Sequence, residues 1–170
     1  LLATKKSGEL LNLEGEDKSK FDSYRQMLIN NEINLLDICE KEDLTLTTSN
    51  IAPLSHWITP EFEARRFDTR FFIAYLPENQ IVQHDGMELT HSLWISPNLA
   101  LKKALEGEMQ MILPTTENLK SCMDFKSATI MLDHQKKLTK DDIKPILPKF
   151  YKENDTWKVL FPGDDGYEDH

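Results

Sequence analysis

Cysteine is scarce in this chain. Cys39 and Cys122 are the only two in 170 residues, too few for a disulfide scaffold, and that usage points to a reducing compartment. Glycine is scarce as well: six residues leave little room for a phosphate-cradling loop or a dinucleotide fingerprint, and neither pattern occurs. No apolar run approaches the roughly 18 residues of a membrane span. The longest, Phe71 to Leu76, has strand length, so no membrane partner is expected. Basic residues are outnumbered, 20 Lys and Arg against 29 Asp and Glu, for a net charge of -9. That deficit argues against nucleic acid as a partner, because phosphate neutralisation needs a surplus of cations. A small phosphorylated ligand needs only two or three local ones. The chain opens on Leu1-Leu2-Ala3 without an initiating methionine or a targeting segment, and we expect it to be the downstream part of a longer protein.

What is present suits one folded domain with 39% hydrophobic residues. Residues 1–19 are polar and linker-like, with Leu10, Leu11 and Leu13 as a brief anchor; 20–164 form the folded part, and 165–170 an acidic, solvated tail. Phe21, Tyr24, Met27 and Leu28 repeat at helical spacing behind a capping Ser19, and Asn30-Asn31 ends that helix. A second helix is expected over 34–42, with Leu35, Leu36, Ile38 and Cys39 inward. Strands are expected at 44–47 and 54–59, and at 70–76, where missing polar alternation suggests cover on both faces. Turns follow at 77–80 and 84–86, then a strand over 88–95. Ser96-Pro97 starts a helix with Leu101, Ala104 and Leu105 inward, ended by Gly107. Pro114 opens another, with Leu119, Cys122 and Met123 inward, and a late hairpin turns around Asn154-Asp155. Interleaved helices and strands make the class α/β or α+β.

Three arginines in six residues, Arg65, Arg66 and Arg70, stand at the mouth of the 70–76 strand. A guanidinium fork donates two parallel hydrogen bonds to a phosphate; the plainer alternative pairs Asp68 with one Arg and leaves the rest solvated. Glu88, after the Asp85-Gly86 turn, is a candidate metal ligand or general base. His84, Glu88 and His91 are not expected to share a metal, since residues three apart on a strand point to opposite faces. Spacing alone supports neither a Ser-His-Asp nor a Cys-His arrangement.

Several segments together resemble the Nudix hydrolase superfamily, in its acyl-coenzyme A diphosphatase branch. Trp57-Ile58-Thr59-Pro60 followed by Arg65-Arg66-Phe67-Asp68-Thr69-Arg70-Phe71-Phe72 is the most specific stretch. Glu88, Trp94 and Ser96-Pro97-Asn98-Leu99-Ala100-Leu101 follow in order, then Pro114-Thr115-Thr116-Glu117-Asn118-Leu119, then Phe161-Pro162-Gly163-Asp164. The resemblance implies a partial Nudix-type mixed sheet flanked by helices. It implies hydrolysis of a diphosphate linkage in a nucleotide-like substrate with Mg²⁺ or Mn²⁺, in a peroxisome or mitochondrion; a homodimer is one assembly open to it.

In that family a glycine followed by R-E-x-x-E-E-x-G carries the metal-binding glutamates. That box is absent from these residues, as is the family's coenzyme A recognition stretch, so the 170-residue chain is expected to be inactive alone. By resemblance Glu88 becomes the candidate catalytic carboxylate, and Arg66 and Arg70 the candidate substrate contacts; no metal ligand carries over. Trp57 and Trp94 are expected in the core, and the sheet is expected to have exposed edges. The alternative is a non-catalytic nucleotide-binding or regulatory module that genuinely lacks the box.

Overall fold

The backbone closes on itself twice along this sequence, and the computed structural model, which describes residues 3–76 and 80–169, divides into two compact units. One compact unit comprises 1–51 with 74–94, the other 52–73 with 95–170. Helices and strands are mixed throughout, an α+β fold. No helix among the described residues is long and apolar enough to cross a membrane.

In the first unit β1 (Ala3–Lys5) pairs antiparallel with β2 (Leu44–Leu46), Ala3 opposite Leu46. Ala3, Leu11, Cys39 and Leu44 form its core, with Leu13, Phe21 and Leu46 packed against them. The early segment expected as a linker is therefore in part core: burying Ala3 and Leu11 requires their backbone to be paired, and the Leu11 N–H donates to the Ala3 carbonyl at 2.8 Å.

Helix α1 (Gly15–Ile29) starts before Ser19; its N-cap is Glu14, which makes no side-chain cap bond. Asn31, at φ 58°, turns the chain out of that helix. Helix α2 (Leu35–Lys41) starts in a reciprocal capping box between Asn34 and Asp37. Its inward residues are Ile38 and Cys39, while Leu35 and Leu36 are exposed.

Glu42, just past α2, accepts from Lys20 Nζ at 2.5 Å and from the Tyr24 hydroxyl at 2.7 Å, tying α1 to α2. Later residues return to this unit. Buried Gln80 donates to the Leu11 carbonyl at 3.4 Å, and Arg25 donates to the Gln83 carbonyl at 2.8 Å.

The second unit holds a three-stranded sheet with β3 (Ile51–Ile58) between β4 (Asp68–Ala74) and β5 (Pro145–Ile146). Strands β3 and β5 run parallel, Trp57 opposite Ile146. Strand β4 is an edge that alternates exposed and half-buried residues, not a strand covered on both faces. Its apolar run reflects β-propensity with only one face half-buried.

Helix α3 (Pro97–Leu105) is capped by Ser96, whose Oγ accepts from the Leu99 N–H at 3.3 Å. It buries Ala100 and leaves Leu105 90% exposed, against expectation. Helix α4 (Leu113–Met123) buries Asn118 and leaves Met123 exposed. Helix α5 (Ala128–Gln135), to which the sequence reading assigns no element, is capped by Ser127 and buries Met131, Leu132 and Gln135.

Strands β6 (Lys149–Glu153) and β7 (Thr156–Leu160) form the expected hairpin. Asn154 and Asp155, both at positive φ, supply the turn whose twist matches its strands. The final residues are not simply a solvated tail. The Tyr167 hydroxyl donates to the Leu147 carbonyl at 2.8 Å, and Lys149 lies 4.2 Å from its ring centre.

Residues 88–95, expected as a strand, contain no regular structure, and Trp94, expected in the core, is 80% exposed. Residues 77–79 of the expected turn lie outside the described residues.

The contacts from Lys20 and then Tyr24 hold the Glu42 carboxyl below its ordinary value of 4.5. A lowered carboxyl contributes stability that is full above the ordinary value and disappears as pH falls through the native one. Glu42→Gln should therefore flatten the loss of stability between about pH 5 and pH 3. Denaturant midpoints for both proteins across that range check it; parallel curves would dismiss the Glu42 contribution.

Candidate functional site

The Trp57–Pro60 and Arg65–Arg70 strings meet where β3 leads into β4. Thr59 closes the intervening loop twice: its N–H donates to the Phe67 carbonyl at 3.0 Å, and its Oγ1 accepts from the Phe67 N–H at 3.0 Å. Arg66 Nε donates to the Thr59 carbonyl at 3.0 Å. The Arg65 guanidinium sits 4.8 Å from the Phe67 ring centre, a cation–π placement. Arg70, on β4, is 3.6 Å from Asp68. The arginines therefore have separate protein partners, and all three stay exposed.

Asp68 has a stronger partner in His56 on β3. His56 is 8% exposed, with Nε2 2.6 Å from Asp68 Oδ1. A carboxylate only accepts, so Nε2 carries the proton. The sequence offers Asp68 only as a partner for an arginine and does not single out His56, whose signal is a histidine at an inward position of an alternating strand.

Ser55, next to His56 on the strand, bonds elsewhere. Its Oγ donates to Asn118 Oδ1 at 2.6 Å and accepts from the Trp57 indole N–H at 3.0 Å. Alternation sends Ser55 and His56 to opposite faces, so no Ser-His nucleophile is assembled.

His56, Arg70 and Lys140 line one cavity of about 400 Å³, walled also by Phe71, Phe72, Leu138, Asp141 and Ile143. Thr139 and Asp142 fix that wall, Asp142 accepting from both the backbone N–H and the hydroxyl of Thr139. These bonds, the hydroxyl's first, hold the Asp142 carboxyl below its ordinary value. Arg70 and Lys140 are exposed cations on this lining, which also carries the Asp141 carboxylate; a guanidinium so placed can receive an oxyanion.

Glu88 belongs to the other compact unit and is exposed in an irregular loop. The acid that organises this loop is Asp85, which accepts from the N–H groups of Leu89 at 2.9 Å, Met87 at 3.1 Å and Glu88 at 3.4 Å. The Leu89 bond is the largest cause holding the Asp85 carboxyl below its usual range. The strand argument against His84, Glu88 and His91 sharing a metal fails, because the segment is not a strand. Even so, among the described residues no three His, Cys, Asp or Glu side chains gather so as to hold a metal ion. The side chains present do not fit the divalent centre that the resemblance implies.

The profile of the NUDT19 Nudix domain matches residues 1–121. The chain belongs to this family. The NUDT19 Nudix span takes in both strings that form the β3–β4 loop, the segment around Glu88 and the starts of α3 and α4; Phe161–Asp164 lies beyond it.

Two relatives are each described as an acyl-coenzyme A diphosphatase NUDT19. That of Xenopus laevis is 29% identical over 97 residues, which is 55% of this chain and 26% of the relative. That of Homo sapiens is 26% identical over 147 residues, 85% of this chain and 39% of the relative. The chain thus spans well under half the length of these relatives. No solved structure matches it.

Removing the Asp68 carboxylate leaves a buried imidazole N–H without an acceptor, at a cost of about 1–3 kcal/mol. Asp68→Ala should lower the urea midpoint accordingly, while Asp68→Asn, which keeps an acceptor oxygen, should recover part of the loss. Equal midpoints for wild type and Asp68→Ala would mean that the pair contributes nothing.

Proposed function

We propose that this chain is part of a hydrolase that cleaves the diphosphate linkage of a nucleoside-diphosphate-linked compound. Its relatives' names point to coenzyme A or acyl-coenzyme A as the compound class. The match of residues 1–121 to the NUDT19 Nudix domain carries the reading. In such a hydrolysis water attacks one phosphorus, the bridging P–O bond breaks, and two phosphate monoesters leave with the water's protons shared between products and base.

Arg66 and Arg70 are assigned to substrate phosphates, supported by their exposure and by the fork geometry of guanidinium. Glu88 is assigned separately, as the carboxylate that accepts the water's proton; it is exposed, and Asp85 fixes the backbone beside it. Mg²⁺ or Mn²⁺ is expected by resemblance to supply phosphate polarisation. Its ligands would come from the part of the relatives' length that this chain does not span. A peroxisomal or mitochondrial site belongs to the same reading.

The 170-residue chain alone should release no nucleotide from coenzyme A in the presence of Mg²⁺. Activity should return when the chain is joined to an upstream segment carrying R-E-x-x-E-E. A longer protein that stays inert yet binds nucleotide would shift the reading to a binding module, and turnover by the short chain would overturn the fragment reading.

In the active longer protein, Glu88→Gln should lower kcat by about 10²–10⁴-fold, the range for a general base, with KM little changed. Arg70→Ala should raise KM about tenfold, the loss of one charge-assisted contact. Steady-state kinetics of the two variants check both assignments; an unchanged kcat removes Glu88, and an unchanged KM removes Arg70.

A further inference from the structure

The arginine loop is closed by a pairing that departs from the ordinary one. In an antiparallel hydrogen-bonded pair, two facing residues exchange both of their N–H···O=C bonds. Thr59 and Phe67 make only half of that exchange with their backbones: the Thr59 N–H donates to the Phe67 carbonyl at 3.0 Å. The other half runs through a side chain. The Phe67 N–H donates to Thr59 Oγ1 at 3.0 Å, and that hydroxyl gives its own proton to the Phe67 carbonyl at 3.3 Å. The Thr59 carbonyl is left over, and it accepts from Arg66 Nε at 3.0 Å.

The local sequence favours this substitution of a hydroxyl for a carbonyl. Pro60 disfavours helical backbone at the residue before it, which suits Thr59 to pairing. A threonine hydroxyl, stiff at χ1 and close to the main chain, competes readily for a nearby backbone N–H. Arg66 itself is exposed, and a free arginine side chain would lose its rotamer freedom on meeting a ligand. With Nε tied to the backbone, much of that ordering is already done. Its Nη groups make no hydrogen bond among the described residues and stay available as a fork.

We infer that Thr59 is a positioning residue: its hydroxyl diverts the Phe67 N–H and so frees the backbone carbonyl that holds Arg66 ready for an oxyanion. This role deepens the hydrolase reading and rests on it only for the ligand, the diphosphate of the substrate. Thr59→Val keeps the branched shape and removes the oxygen. The Phe67 N–H then takes the carbonyl, the ordinary exchange is restored and Arg66 is released, so the urea midpoint should change little.

Both halves can be read on the isotope-labelled chain without metal or turnover. By NMR the Arg66 Nε–H should exchange with water about tenfold more slowly than that of Arg65, the effect of one hydrogen bond, because the Arg65 guanidinium only stacks on Phe67. Thr59→Val should abolish the difference, and Thr59→Ser should keep it. Inorganic diphosphate should bind Thr59→Val about fivefold more weakly than wild type, the loss expected when a side chain must be ordered on binding. Thr59→Ser should restore that affinity, and in an Arg66→Ala background Thr59→Val should cost nothing further.

Equal exchange of the two Nε–H groups in the wild type, or no binding of diphosphate by it, would overturn the inference. So would an unchanged affinity in Thr59→Val, or an equal loss in the Arg66→Ala background. If the longer protein fails to hydrolyse coenzyme A while these differences hold, only the hydrolase reading falls. If it does hydrolyse coenzyme A, Thr59→Val should raise KM by the same factor with kcat little changed; a KM that does not move removes Thr59 and leaves the hydrolase reading standing.

Discussion

The burial of Trp57 sets the arrangement of the second unit. Its ring is shut away from solvent against Phe161, with centres 6.1 Å apart, and its indole N–H has to be satisfied inside. Ser55 and Asn118 do this from β3 and α4, so one side chain secures the helix to the sheet. The same residue stands opposite Ile146 in the parallel pairing with β5. Two residues further on, Thr59 closes the arginine loop onto Phe67. The tie between sheet and helix, the pairing with β5 and the approach to the arginine loop thus meet around one buried indole.

Charge is distributed in a way that the net value hides. The chain carries -9 overall, yet the β3–β4 loop and the start of β4 together present three guanidiniums, each oriented by a different kind of contact. Arg65 uses an aromatic face, Arg66 a backbone carbonyl and Arg70 a carboxylate. The first two contacts pre-orient a guanidinium without offsetting its charge, whereas Arg70 faces the Asp68 carboxylate, which His56 also contacts. Steering an anion to a site on an acidic protein depends on this kind of local concentration.

Large apolar side chains remain exposed in both units, among them Trp94, Ile81 and Met87 in one, and Leu105, Ile112 and Trp157 in the other. Relatives whose length is well over twice the matched segment contain ample chain beyond these surfaces. Among the described residues β4 is also the edge of its three-stranded sheet, with β3 as its neighbour.

Local chemistry was legible in the sequence. Ser96-Pro97 opened α3, the Asn154-Asp155 pair turned the hairpin, and Asn31 ended α1, because capping and positive φ are decided by one or two residues. The WITP and RRFDTRFF strings also placed the chain in its family. Burial and pairing were not legible: β4 is open on alternate residues, Trp94 is exposed, and residues 88–95 form no strand. A run of apolar residues declares a preference for leaving water, but only the packed fold decides which neighbours are there to receive it. The His56–Asp68 pair and the Ser55–Trp57–Asn118 network join residues 12 and up to 63 positions apart. Contacts of that separation leave no periodic mark in a single sequence, so the motifs belonged to the sequence and the site that they build belonged to the tertiary structure.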